Sequence, residues 1–176
     1  DDEGVLVASC AYGSYPEAIT VTYEDLTETI DLNIDGSALA TIVPSPASLD
    51  VDVDELINLS AAGVDACGSP VVLSPTWATT LEDVTLTPGF GGAAQLRIGC
   101  TSGDFPGAIT VSQDGVTAAL DVVVSPGATE TVSITPDDVS MAAGSSLLLT
   151  AEALDACGNT IDSPRSWSLS SGGSIA

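Results

Sequence analysis

The chain of 176 residues sets 25 acidic residues against two arginines, Arg97 and Arg165, with no lysine or histidine, for a formal charge of -23. Nucleic-acid affinity comes largely from Lys and Arg neutralising phosphates, so a surface this acidic excludes nucleic acid as a partner. An apolar share of 44% excludes a disordered acidic tail.

Asp1-Asp2-Glu3 does not read as a leader, and no apolar run is long enough to span a bilayer, so the sequence reads as a mature exported chain or an excised segment. From there, alternation with period two dominates. Leu6, Ala8 and Cys10 share one face, Ile19, Val21 and Tyr23 another, and Ile30, Leu32 and Ile34 alternate with Asp31, Asn33 and Asp35. Further candidate strands follow at 40–43, 49–53, 56–64, 76–80, 82–87, 94–101, 108–113 and 116–124. Turn chemistry separates them: Pro44-Ser45-Pro46, Cys67-Gly68-Ser69-Pro70, Pro88-Gly89, the segment from Gly103 to Gly107, and the hairpin signal Asp114-Gly115. No longer stretch carries a helical period, and the reading is all-β, with seven or eight short strands folding into a sandwich of two antiparallel sheets.

Displaced by 90 positions, the chain matches itself without a gap: Cys10 falls on Cys100, Cys67 on Cys157, Trp77 on Trp167, and Ala18-Ile19-Thr20-Val21 on Ala108-Ile109-Thr110-Val111. The phase of the repeat places a complete unit at 38–126. The last three strands of a unit lie at 1–37, and the first strands of another at 127–176. The expected architecture is therefore one complete central sandwich flanked by two complementary half-domains.

Asp155-Ala156-Cys157-Gly158-Asn159-Thr160, followed by Trp167-Ser168-Leu169-Ser170 and Gly172-Gly173-Ser174-Ile175, resembles the pattern of bacterial immunoglobulin-like domains of the invasin and intimin type. The central copy keeps Asp65, Gly68 and Trp77 of that pattern. The resemblance implies tandem immunoglobulin-like β-sandwiches on a cell surface or outside the cell. Trp77 and Trp167 are expected to fill the centres of their sandwiches, each opposite a disulfide.

The cysteines recur as the same pair in each repeat with no histidine to complete a zinc site, which reads as two disulfides and an oxidising compartment. A bridge from Cys67 to Cys100 would close within the central unit, and its twin by the repeat offset would join Cys10 to Cys157. The poles of such a sandwich lie roughly 30 to 40 Å apart, at about 3.3 Å per strand residue. Flanks tied by short linkers near Gly36-Ser37 and Pro126-Gly127 cannot meet around the central unit. They are expected to pair between identical subunits, head to tail, with Cys10–Cys157 intermolecular; such a heterologous contact generates a filament. The alternative is that the chain is a pair of spacer modules from a long tandem-repeat adhesin or stalk.

Asp31, Asn33 and Asp35 before Gly36 match the opening of an EF-hand calcium loop. The loop lacks its twelfth-position acid, which is Ile42, and on a strand the same alternation marks a solvent face, the reading preferred to calcium. Asp50, Asp52 and Asp54 alternate likewise. Asn58-Leu59-Ser60 is a glycosylation sequon with Asn58 pointing outward. No cofactor other than calcium is suggested, and with no recognisable base, nucleophile or phosphate loop the chain does not read as an enzyme. A carbohydrate-binding module would need more exposed aromatics than Tyr12, Tyr15 and Tyr23 provide.

Overall fold

The computed structural model describes residues 3–175; Asp1, Asp2 and Ala176, and so the extreme ends of the two outer segments, lie outside the described residues. Thirteen strands are present among the described residues, in the order β1 (Gly13–Tyr23), β2 (Leu26–Ile34), β3 (Leu39–Ser45), β4 (Ser48–Asp52), β5 (Leu56–Asp65), β6 (Pro70–Val71), β7 (Thr76–Thr79), β8 (Thr85–Pro88), β9 (Ala94–Arg97), β10 (Gly103–Gln113), β11 (Val116–Ser125), β12 (Thr129–Thr135) and β13 (Thr150–Asp155). The protein is all-β, and its central part is an immunoglobulin-like β-sandwich.

Two sheets build that sandwich. One runs β4-β11-β10-β7, the other β3-β5-β9-β8 with β6 added on β5. Period-two alternation turns Ile42, Leu59 and Leu96 from the second sheet against Leu49, Trp77, Ile109, Val111, Leu120 and Val122 from the first, and all are buried. Trp77 is thus a core residue of the central sandwich.

Two features depart from the expected layout. The first sheet is mixed, because β4 pairs parallel with β11. Only Pro46 and Ala47 separate β3 from β4, which do not pair with each other, so the chain steps between sheets without reversing. The expected turn at Gly103 to Gly107 is instead a bulge inside β10, where the register slips between Phe105 and Ile109. Gly107 adopts φ 62° there, and its N–H donates to Asp121 Oδ1 at 2.7 Å. Sequence punctuation cannot tell a bulge glycine from a turn glycine, since both need the left-handed region.

The flanks repeat this geometry in pieces. The β1–β2 hairpin has the register of β10–β11, including the bulge, where Glu17 N–H donates to Asp31 Oδ1 at 2.8 Å. The β12–β13 pair has the register of β3 with the second half of β5. What differs is burial. Val111 and Leu120 are 0% exposed, whereas their counterparts Val21 and Ile30 are 67% and 61% exposed; Ile42 is 4% exposed and its counterpart Val132 is 66%. Each flank therefore holds one wall of a sandwich with the apolar face open. Replacing Leu120 by Ala should destabilise the central sandwich by about 2–5 kcal/mol in chemical denaturation, the usual cost of emptying a filled core site. The same truncation at Ile30, already open to water in a single copy, should cost the isolated chain far less.

Candidate functional site

The chemistry of this chain gathers where one repeat hands over to the next. At the end of β5 the chain turns through Asp65-Ala66-Cys67-Gly68, and at the end of β13 through Asp155-Ala156-Cys157-Gly158. Gly68 and Gly158 take φ of 80° and 82°, and their N–H groups donate to the carbonyls of Asp65 and Asp155, each at 3.0 Å. The two aspartates, each 4% exposed, are the buried charged residues among those described.

Each carboxylate is held from two sides. Asp65 Oδ1 accepts from the N–H groups of Cys67 and Ser69, both at 2.9 Å, which shapes its own turn. Its Oδ2 faces the preceding repeat, where the Tyr12 hydroxyl and the Ser37 N–H donate to it. Asp155 repeats the scheme: Oδ1 accepts from Cys157 N–H and Asn159 N–H at 2.9 and 2.8 Å, and Oδ2 from Gly127 N–H at 2.8 Å and Asn159 Nδ2 at 3.0 Å. Ser37 and Gly127 occupy the same place in the repeat. The gap that Tyr12 bridges from the preceding repeat is bridged at the second junction by Asn159, which donates to the Cys100 carbonyl at 2.9 Å and accepts from Ser102 Oγ at 3.2 Å.

The disulfides lie at these junctions. Cys10 is bonded to Cys67 and Cys100 to Cys157, with Cα–Cα distances of 5.5 and 5.2 Å, and no cysteine is free. This corrects the expected pairing of Cys67 with Cys100 inside the central sandwich and of Cys10 with Cys157 between molecules. The reason is the length of β5. Cys67 follows its C-terminal end, while Cys100 follows β9, whose Arg97 pairs with Leu56 at the N-terminal end of β5. Ten residues at about 3.3 Å each put those ends about 30 Å apart, far beyond the roughly 4.4–6.8 Å between Cα atoms that a disulfide allows. The bridges therefore join consecutive repeats and do not sit opposite the core tryptophan. By chain entropy, closing each sequence separation of 57 is worth about 4 kcal/mol.

The other sequence candidates fall elsewhere. Trp167, expected in a core, is 38% exposed and lies in no strand, so among the described residues it has no facing sheet to pack against. Asp31 serves the β1 bulge, Asn33 is paired opposite Ser14 along the hairpin, and Asp35 lies beyond the end of β2. Among the described residues no three acidic or cysteine side chains converge on one point. Asn58 is exposed on β5 and accepts from Gln95 Nε2 at 3.2 Å. Local sequence does not mark Asp65, Asp155, Tyr12 and Asn159 as site residues, although the recurrence of Asp-Ala-Cys-Gly after 90 positions carries the signal for the first two.

Hydrogen bonding sets the electrostatics of both junctions. The Tyr12 hydroxyl, with help from Ser69, Cys67 and Ser37, holds Asp65 down from 3.8 to about 2 against the opposing effect of burial. At Asp155 burial pushes upward, but the Asn159, Gly127 and Cys157 donors outweigh it and its carboxyl stays below the ordinary value.

No protein-family model and no curated protein matches the chain. Among solved structures, it is similar to the surface layer protein SbsC. Against SbsC domains 4-9 the TM-score is 0.47 at 20% identity, covering 81% of this chain and 24% of that one. Against rSbsC(31-844) it is 0.49 at 18% identity, with 81% and 20% covered. Against SbsC domains 5-6 it is 0.44 at 19% identity, with 71% and 66% covered. The chain thus spans 24% of the length of the first of these structures.

A depressed carboxylate stabilises the folded state above its unfolded value and loses that contribution as pH falls through its folded value. For Asp65 the window runs from about pH 4 down to about pH 2. Asp65→Asn should melt several degrees below the native protein at pH 7, and the gap should narrow steadily as pH drops from about 4 to 2. A gap that persists unchanged to pH 2 would show that the charge of Asp65 does not hold the junction.

Proposed function

We propose that this chain is a structural subunit of an extracellular filament, built of immunoglobulin-like sandwiches of the bacterial surface type and extended head to tail by its two flanks. The observation that carries this reading is the complementarity of the open faces. The β1–β2 hairpin is the twin of β10–β11, the β12–β13 pair is the twin of β3 with β5, and together they reproduce the pairs that enclose the central core. Apolar faces of this extent on a solvated chain are a strong driving force for association. Intramolecular closure is barred by the same length of β5 that separates the cysteines, since one flank is stapled at each pole.

Support for the location comes from the disulfides, which persist in oxidising surroundings outside the cytosol. The similar SbsC structures are surface layer proteins by name. A structural role is also favoured by the chemistry: the shifted carboxylates at Asp65 and Asp155 are consumed in holding neighbouring repeats.

The corrected disulfides change what such a filament is made of. Every bridge is within one chain, so subunits are joined by folded contact alone, while consecutive sandwiches inside each subunit are covalently stapled. A charge of -23 per subunit opposes assembly, and the opposition is screened over about 10 Å at 0.1 M salt. Native chain at high salt should sediment as polymers that shorten at low salt. In denaturant without reductant it should run as a single 17.5 kDa species. Monomers at every salt and protein concentration would overturn the filament reading and leave the modules as spacers of a longer tandem array.

A further inference from the structure

Three segments that are strands in the central sandwich, or belong to one, form no ladder at the equivalent places in the flanks. Residues 138–142 occupy the place of β4, 166–169 that of β7, and 4–7 that of β9, yet none is a strand. The start of β13 is equally telling. In β5, residues 60–65 pair with β3 and residues 56–59 with β9. Its twin β13 begins at Thr150, the place of Ser60, so the part that is missing, 146–149, is the part that would need a β9 partner. Each idle segment lies on one flank, and the strand position that would pair it lies on the other. The absence of these strands follows from the absence of their partners, because an extended segment with unpaired N–H and C=O groups gains nothing over solvated coil.

From these gaps we infer a specific register for the contact between two copies of the chain, an inference that rests on the head-to-tail reading above. The N-terminal hairpin of one copy receives the idle segments of the next in the pairing of the central sandwich. β2 takes 138–142 as a parallel strand, with Leu32 opposite Val139 and Ile34 opposite Met141, as Val122 and Val124 face Leu49 and Val51. β1 takes 166–169 antiparallel, with Val21 opposite Trp167, as Val111 faces Trp77. Residues 4–7 pair antiparallel with 146–149, placing Leu6 opposite Leu147, as Leu96 faces Ile57. Val21, Trp167, Leu6 and Leu147 are all open to water in a single copy, and in this register each meets an apolar partner.

Register is strongly specified here because a slip of one residue would turn Trp167 and Leu169 outward and Ser168 between them inward. The contact is heterologous and its two surfaces lie at opposite poles, so each copy keeps one free surface for the next. No bond in it is covalent, which leaves the junction sandwich the weakest link along the rod.

Cysteine pairing reads the register directly. Thr20 falls opposite Ser168, as Thr110 falls opposite Ala78. Directly opposed residues have Cα atoms about 4.5–5.5 Å apart, inside the roughly 4.4–6.8 Å that a disulfide allows, whereas a partner two residues along lies about 7–8 Å away and cannot be bridged. Thr20→Cys chain mixed with Ser168→Cys chain under mild oxidation should give a covalent dimer on a non-reducing denaturing gel. Thr20→Cys mixed with Ser170→Cys should lose that band. A band equal in both mixtures, stronger in the second, or absent from both while the native chain still sediments as polymers overturns this register and leaves head-to-tail assembly standing. A native chain that sediments only as monomer overturns both.

Discussion

Ten residues of extended chain decide most of this structure. β5 crosses the central sandwich from pole to pole, with the partner of Arg97 at one end and the Asp65 turn at the other. Because a strand rises about 3.3 Å per residue, nothing tied to one pole reaches the other. That single length forbids a bridge between Cys67 and Cys100, directs each cysteine to a neighbouring repeat, and holds the two flanks apart at opposite ends of the molecule. Strand geometry, more than any particular side chain, keeps the two flanks from meeting within one chain.

The junctions hold each flank to the central sandwich at more than one point. A disulfide alone fixes one point between a flank and the central sandwich and leaves rotation about it. At each junction a buried aspartate adds bonds to its own turn and to the linker N–H of Ser37 or Gly127, so the linker is clamped beside the bridge. The two junctions reach the same end by different residues, a tyrosine from the preceding repeat in one and an asparagine from the following repeat in the other. Such hydrogen bonds to an ionised, shielded carboxylate are among the stronger ones available to a protein with almost no cations. In this chain of only two arginines, the joints are built from N–H and O–H donors.

Much of this was legible in the residues. Alternation in Ile30, Leu32 and Ile34 and in the 116–124 segment marked strands that the structure contains, and the 90-residue offset marked twin elements whose registers match. The repeat alone does not decide the disulfide partners: an offset of 90 maps Cys10–Cys67 onto Cys100–Cys157 within one chain, whereas it carries Cys67–Cys100 onto Cys157 and a position beyond residue 176 that only Cys10 of a neighbouring copy could fill. Periodicity fixes which cysteines are equivalent and is silent on which are near. Proximity came from the ladder between β5 and β9, a long-range pairing that local pattern does not encode. Local pattern reads the bulge at Gly107 as a turn for a related reason, since its closure depends on Asp121 from the adjacent strand. Alternation alone offers Asp31 as one oxygen of a calcium loop or as a solvent face, and its structural task, closing the bulge at Glu17, is hidden for the same cause.

Covalent bridges that run between consecutive repeats of one chain underlie the rest. Proteolysis of the unreduced native protein at its acidic residues, with mass analysis of the linked peptides, tests this pairing most directly. The structure predicts one peptide pair containing Cys10 with Cys67 and another containing Cys100 with Cys157. Recovery of Cys67 joined to Cys100, or of Cys10 joined to Cys157, would contradict it.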